Sequence, residues 1–86
     1  MATDIIIPDS ILKRLNNLPK EIRNKFWEQL EKLLSNPTYP SLRHEKLEGT
    51  NQLAFSITMN YRATYMKGSK SVIITAIGTH KEVLGK

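Results

Sequence analysis

Residues 53–77, "LAFSITMNYRATYMKGSKSVIITAI", decide the fold of this chain. Apolar and polar side chains alternate with a period of two through its first part, which is typical of strands with one buried face. Asn60 and the "KGSK" segment of residues 67–70 interrupt the pattern where tight turns fit. The stretch therefore predicts a meander of antiparallel strands that ends in its most apolar strand, residues 71–77.

The sequence before the meander has a helical period instead. A first helix should begin at Asp9 or Ser10, directly after Pro8. A second helix should begin around Pro19 and end at the "SNPTYP" segment of residues 35–40, whose two prolines forbid a helix. Each helix has an apolar stripe that should face the sheet, formed by Ile11, Leu12, Leu15 and Leu18 in the first and by Ile22, Phe26, Leu30, Leu33 and Leu34 in the second.

These elements define the expected fold class. "DIIIP", residues 4–8, adds a short N-terminal strand or extended segment. The predicted fold is α+β, with this strand and a helical hairpin packed on one face of an antiparallel sheet of three to four strands. The opposite face of the sheet should remain open. A chain of 86 residues supports a single domain, residues 1–86, with one hydrophobic core.

Composition excludes several classes of function. The chain has no cysteine, so disulfides, thiolate catalysis and cysteine-based zinc sites are excluded. Its two histidines lie in unrelated segments and its carboxylates are scattered, so we expect no metal site and no cofactor. Apolar runs are too short to cross a bilayer and the N-terminus does not match a secretory signal, so we expect no membrane association and a cytoplasmic location.

The charge is unevenly distributed along the chain. The formal net charge is +5, and residues 1–40 contain six basic against five acidic side chains. Residues 41–86 contain seven basic against three acidic side chains, so most of the excess lies in the predicted sheet. Such a surface attracts polyanions, of which nucleic acid is the commonest, although a basic face kept for solubility is equally consistent with the charge.

Arg62 is a candidate anion-binding residue in the middle of the meander. It alternates with Tyr61 and Ala63, whose side chains suit the core, so Arg62 should lie on the opposite, open face. A guanidinium can hold a phosphate with two parallel hydrogen bonds at any working pH. The alternative is a structural ion pair with Glu45 or Glu48.

Two further segments should approach that face. "LRHEKLEG", residues 42–49, is dense in titratable side chains and leads into the sheet, although such strand entrances are often only solvated edges. His80 follows Gly78 at the end of the last strand, and its imidazole titrates in the range where a group can exchange protons near neutral pH. An isolated surface histidine is the alternative for His80.

The order and spacing of these segments resemble the RelE/ParE superfamily of bacterial toxins from type II toxin–antitoxin modules. The resemblance covers nearly the whole chain, and it fits the RelE, YoeB and YafQ-like branch. The matching pieces are "LPKEIRNKFWEQLEKLLSNPTYPSLR" (residues 18–43), "KLEGT" (46–50), "NYRATY" (60–65) and "IGTHKEV" (77–83).

The resemblance implies a toxin that a co-expressed antitoxin holds inactive and that cleaves mRNA on the ribosome without a metal or cofactor. In this chemistry the 2′-hydroxyl of one nucleotide attacks the adjacent phosphate, which requires a base, a cation and an acid. By resemblance, Glu45 is the base, Arg62 holds the phosphate and His80 is the acid. Further contacts to RNA phosphates are expected from Arg43, His44, Lys46 and Lys81.

Two departures from the family pattern leave alternatives open. Leu84 stands near the position where many members have an aromatic residue that stacks on a base. Other branches have lysines or a second histidine where Glu45 stands. The chain could accordingly resemble the ParE branch, which inhibits DNA gyrase by binding, or be an inactive module that only binds its antitoxin. The antitoxin is expected to be short, acidic and partly disordered.

Overall fold

The computed structural model describes residues 4–84. In this part of the chain no helix is long and apolar enough to cross a membrane. The elements, in chain order, are β1 (Asp4–Ile6), α1 (Asp9–Asn16), α2 (Lys20–Ser35), a 3-10 turn (Pro40–Leu42), β2 (Glu45–Lys46), β3 (Gln52–Ser56), β4 (Tyr61–Lys67), β5 (Ser71–Thr79) and α3 (His80–Leu84).

The five strands form one mixed sheet in the order β1-β5-β4-β3-β2. The meander β3-β4-β5 and both predicted helices are confirmed, and so is the α+β class. The sheet is larger than predicted because β1 pairs in parallel with β5, with Ile5 opposite Val72. At the other edge β2 adds a short antiparallel pairing, with Glu45 opposite Ala54. Parallel pairing of β1 needs a long connection, which the intervening helices and meander supply.

The hydrophobic core lies between the helices and one face of the sheet. Phe55 of β3 is fully buried, and its ring lies 6.2 Å from that of Phe26 in α2 and 6.0 Å from that of Tyr65 in β4. Leu12 and Leu34, predicted on the apolar stripes, remain 38% and 36% exposed because they lie at the stripe edges. The other buried members of the core cluster are Leu15, Leu30, Leu33, Leu42, Ile57, Ala63, Val72, Ile74 and Ile77.

A β-bulge in β5 explains why its apolar run does not alternate. Tyr65 lies opposite Ile74 and Thr64 lies opposite Ala76, so Thr75 is an extra residue in β5. The bulge shifts the alternation by one position, which places both Ile74 and Ile77 on the core face. Beyond it, Gly78 lies opposite Arg62.

The sequence predicted that the face of the sheet opposite the helices would be open, and this prediction is wrong at the centre of that face. Ala54 and Thr64 are buried, and Arg62 is only 7% exposed. Arg62 reaches across this face to the main chain of Arg43, and the Thr64 and Thr75 hydroxyls bond to each other at 2.7 Å. This face is therefore a hydrogen-bonded layer with exposed edges, not a bare platform.

A buried glutamine joins the helices to the sheet. Gln29 of α2 is 2% exposed, and its Nε2 donates to the main-chain oxygens of Ser41 at 3.0 Å and of Ser56 at 2.8 Å. The 3-10 turn and the end of β3 would otherwise each present a carbonyl to the interior, which is costly without a partner. Gln29 thus fixes the turn that leads into β2.

Replacing this amide with an apolar group of similar size tests its role. Gln29→Leu should lower the free energy of unfolding by about 2 kcal/mol, because two buried carbonyls lose their donor. Urea unfolding followed by circular dichroism measures the change. Asn24→Leu, at an exposed site on the same helix, should change it by no more than about 0.5 kcal/mol. Equal effects of the two variants would contradict the assignment.

Candidate functional site

Arg62 is the centre of the candidate site. Its neighbours across the sheet are Ser56 in β3 and Gly78 in β5. Arg62 Nη2 donates to the main-chain oxygen of Arg43 at 2.9 Å and lies 3.8 Å from Glu45 Oε2. Arg62 Nε is buried and has no hydrogen-bond partner within residues 4–84. The charge is therefore held in place but only partly compensated.

The segment Arg43–Glu45 brings the carboxylate to this guanidinium. Arg43 follows the 3-10 turn with φ of 46°, a left-handed conformation that is uncommon outside glycine. The bend directs its carbonyl toward Arg62, and the chain then enters β2 with Glu45 opposite Ala54. The Glu45 side chain is 46% exposed. At 3.8 Å the two groups form a loose ion pair, and the same position suits a base beside a bound phosphate.

His80 lies at the same end of the sheet. It is the first residue of α3, and its main-chain N–H donates to the carbonyl of Asn60 at 2.9 Å. Asn60 precedes Arg62 by two residues, which is about 7 Å along a strand. His80 is half-buried. The structure thus brings the three predicted catalytic residues to one end of strands β2, β4 and β5.

A capping box fixes the start of α3 and with it His80. The N–H of Thr79 donates to Glu82 Oε1 at 3.0 Å, and the N–H of Glu82 donates to Thr79 Oγ1 at 3.2 Å. Hydrogen bonds to the Glu82 carboxylate, first from the Thr79 backbone, then from the Thr79 side chain and from the Arg14 guanidinium of α1, lower the pKa of Glu82 from 4.5 to about 2. The Thr79-x-x-Glu82 spacing is a sequence signature of this cap, although sequence analysis did not use it.

Arg14 of α1 is a residue that sequence analysis missed. It pairs with Glu82, and its Nε donates to the carbonyl of Ile77 at 2.6 Å. A Cβ at Gly78 would lie 2.9 Å from Arg14 Nη2, so a side chain at that position would displace the guanidinium. Helix α1 and the C-terminal helix are therefore tied together beside the end of β5. No pattern in the sequence signals a contact between positions 14 and 82.

The predicted phosphate contacts do not all face Arg62. His44 Nε2 bonds to the hydroxyl of Tyr65, whose buried ring lies on the helix side of the sheet. Lys46 lies opposite Leu53, which packs against the core from that same side. Arg43 lies two residues before Glu45 and Lys81 directly follows His80, and both are exposed. The role of all four in phosphate binding stays a prediction.

His44 and Tyr65 both have shifted pKa values. Burial, and secondarily the charge of Lys67, lower the pKa of His44, whereas burial raises that of Tyr65. Within residues 4–84 no three His, Asp or Glu side chains lie close enough together to hold a metal ion. Leu84 is the last residue of α3, but its side chain lies outside the described part, so the loss of base stacking there stays a prediction.

The chain is similar to solved structures of bacterial and archaeal toxins. RelE from the RelE–RelB complex of Pyrococcus horikoshii OT3 is 25% identical, with 92% of this chain and 96% of that chain covered and a TM-score of 0.76. A YoeB/ParE toxin from Agrobacterium tumefaciens is 15% identical, with 91% and 99% covered and a TM-score of 0.77. YoeB from the YoeB–YefM complex of Staphylococcus aureus is 17% identical, with 93% and 99% covered and a TM-score of 0.75.

These matches extend over nearly the full length of the chain, so it has the RelE-like fold that the sequence predicted. No protein-family model matches the chain, and no curated protein sequence matches it.

The capping box predicts a specific acid titration. Because the folded state favours the Glu82 carboxylate, its stabilising effect should be complete above pH 4.5 and be lost as pH falls through about 2. NMR titration of the Glu82 side chain should give a pKa of about 2. Arg14→Met should raise that pKa only partly, because the Thr79 bonds remain.

Lys13→Met removes a cation from the same helix without touching Glu82 and should leave the Glu82 titration unchanged. A wild-type Glu82 pKa near 4.5 would show that the cap is absent in solution. An identical titration in wild type and Arg14→Met would show that the ion pair is absent.

Proposed function

We propose that this chain is the toxin of a type II toxin–antitoxin module and acts in the cytoplasm as a metal-independent, ribosome-dependent mRNA endonuclease that inhibits translation. The observation that supports this best is the grouping of Glu45 and Arg62, 3.8 Å apart, with His80 at the same end of the sheet. The RelE-like fold supports the toxin class. The endonuclease activity rests on the chemistry of the three side chains.

Each of the three groups suits one role in RNA cleavage by transesterification. Glu45 would accept the proton of the 2′-hydroxyl as its oxygen attacks the adjacent phosphorus. Arg62 would stabilise the added negative charge on the phosphorane oxygens. His80 would donate a proton to the 5′-oxygen as the P–O5′ bond breaks. The products are a 2′,3′-cyclic phosphate and a 5′-hydroxyl.

The partial compensation of Arg62 favours phosphate binding over a purely structural ion pair. At 3.8 Å, the Glu45 carboxylate is beyond hydrogen-bonding distance of Nη2. A structural Arg–carboxylate pair at a buried site normally makes two short parallel hydrogen bonds. Arg62 instead donates a hydrogen bond to the neutral carbonyl of Arg43, so its charge remains available to an incoming anion.

The proposed protein partner is an acidic antitoxin. The similar toxins from P. horikoshii and S. aureus were solved in complexes with RelB and YefM, which supports a partner of this kind. The net charge of +5 would speed association with an acidic chain. Trp27 on α2 is 45% exposed and Leu12 on α1 is 38% exposed, so the helices offer apolar surface to such a chain.

Substitutions at the site test the catalytic roles directly. His80→Gln and Arg62→Ala should each lower cleavage at least about 100-fold and relieve growth arrest. Arg62→Lys keeps the charge but loses the planar fork, so it should retain an intermediate rate. Induction of each variant, followed by mapping of mRNA 5′ ends on translated messages, measures the effect.

Arg23→Lys is the matched control, because Arg23 lies on α2, away from the Arg62 face. It should cleave and arrest growth like wild type. Cleavage that persists in both His80→Gln and Arg62→Ala would overturn the catalytic assignment. Arrest without new ends, accompanied by inhibited supercoiling, would indicate a gyrase inhibitor, and no arrest would indicate an inactive antitoxin-binding module.

A further inference from the structure

We infer that His44 and Tyr65 are positioning residues that hold the segment Arg43–Glu45 against Arg62. The inference rests on the proposed function for its effect on RNA cleavage, but its structural part can be tested without any activity. It assigns His44 a role different from the phosphate contact predicted from the sequence.

The segment is attached to both faces of a single strand. On one face, Arg62 Nη2 donates to the Arg43 carbonyl at 2.9 Å. On the other face, His44 Nε2 bonds to the Tyr65 hydroxyl. Arg62 and Tyr65 both belong to β4 and lie three residues apart, so their side chains point to opposite faces. Strand β4 thereby fixes the chain just before Glu45 from two directions.

Packing alone does not hold this segment. Arg43, His44 and Glu45 are exposed over much of their surface, although the His44 ring is partly buried against Tyr65, and β2 has only two residues, Glu45 and Lys46. The left-handed backbone of Arg43 is a conformation that a non-glycine residue avoids unless other contacts impose it. The polar contacts of the segment, together with the pairing of β2 with β3, therefore set where the Glu45 carboxylate lies.

Tyr65 is a rigid anchor for the contact. It is 3% exposed, its ring packs 6.0 Å from that of Phe55, and it belongs to a central strand. The His44 ring lies 5.7 Å from the Tyr65 ring and forms part of the wall of a cavity of about 200 Å³ between α2 and the β4-β5 turn. Its ring nitrogen is therefore directed into the helix side of the sheet, away from Arg62.

The surroundings of His44 favour a neutral ring that bonds to the tyrosine. The charged groups that line the same cavity are Lys67 at the end of β4 and Lys70 in the following turn, and α2 contributes the apolar Leu33 and Leu34. Burial and the Lys67 charge lower the pKa of His44, and burial raises that of Tyr65. Both partners thus stay neutral at neutral pH, and their hydrogen bond persists there.

Tyr65→Phe tests the contact by removing one hydroxyl and keeping the buried ring. Amide hydrogen exchange of residues 43–47, measured by NMR, should become about tenfold faster, while exchange in the centre of β4 and β5 stays unchanged. In the cleavage assay, kcat should fall about tenfold with KM for RNA unchanged, because Glu45 loses its position while Arg62, the proposed phosphate ligand, stays fixed on β4.

His44 variants provide a second, independent test at an exposed site. His44→Phe should reproduce both effects of Tyr65→Phe, whereas His44→Gln, which can still bond to the Tyr65 hydroxyl, should restore most of the exchange protection and kcat. Tyr39→Phe is the matched control, because it removes the hydroxyl of an exposed tyrosine outside the sheet. It should leave both readouts at the wild-type level.

The outcomes separate this inference from the proposed function. Unchanged exchange of residues 43–47 in Tyr65→Phe and His44→Phe would overturn the inference, whatever the activity. A rise in KM in His44→Phe, with Tyr65→Phe like wild type, would also overturn it and restore the phosphate contact. Faster exchange in both variants of a protein that does not cleave RNA would support the positioning contact and refute the proposed function.

Discussion

The buried guanidinium of Arg62 is the constraint on which the rest of the site depends. An arginine keeps its charge at any working pH, so its removal from water must be offset by oriented acceptors or by an anion. Here the offset comes from the Arg43 carbonyl and, at 3.8 Å, from the Glu45 carboxylate. Neither neutralises the group fully. This incomplete compensation is the basis for the proposal that Arg62 binds an anion, namely an RNA phosphate.

Several features away from Arg62 make this arrangement possible. The bulge at Thr75 places Gly78 opposite Arg62, and the absence of a side chain at Gly78 leaves room for the guanidinium of Arg14. Gln29 fixes the 3-10 turn from which the Arg43 carbonyl emerges. At the other side of the site, the pair between Arg14 and Glu82 ties α3 to α1. Each of these contacts stabilises the fold and also limits where the proposed catalytic side chains can lie.

Sequence periodicity predicted the parts of the fold that depend on repeated patterns. The helices and the meander follow from periods of 3.6 and two, and the alternation around Arg62 correctly placed it opposite the core residues Ala63 and Tyr65. The edge strands were less predictable, because β1 and β2 are too short to have a period. The closed centre of the second face depends on the reach of Arg62 and on the bulge, and neither has a sequence signature.

The candidate site, like the fold, was predictable where it follows from strand pairing and not where it depends on irregular backbone. The meeting of Glu45 and Arg62 follows from the pairing of β2, β3 and β4, whereas the direction of His44 depends on the left-handed turn at Arg43. The central claim, cleavage by attack of the 2′-hydroxyl, is tested most directly by the chemistry of the RNA ends. Message cleaved by the purified protein on ribosomes should have 2′,3′-cyclic phosphate and 5′-hydroxyl ends, and Arg62→Ala should produce neither. Ends with a 5′-phosphate and a 3′-hydroxyl, or intact message under conditions where the toxin arrests growth, would contradict the account.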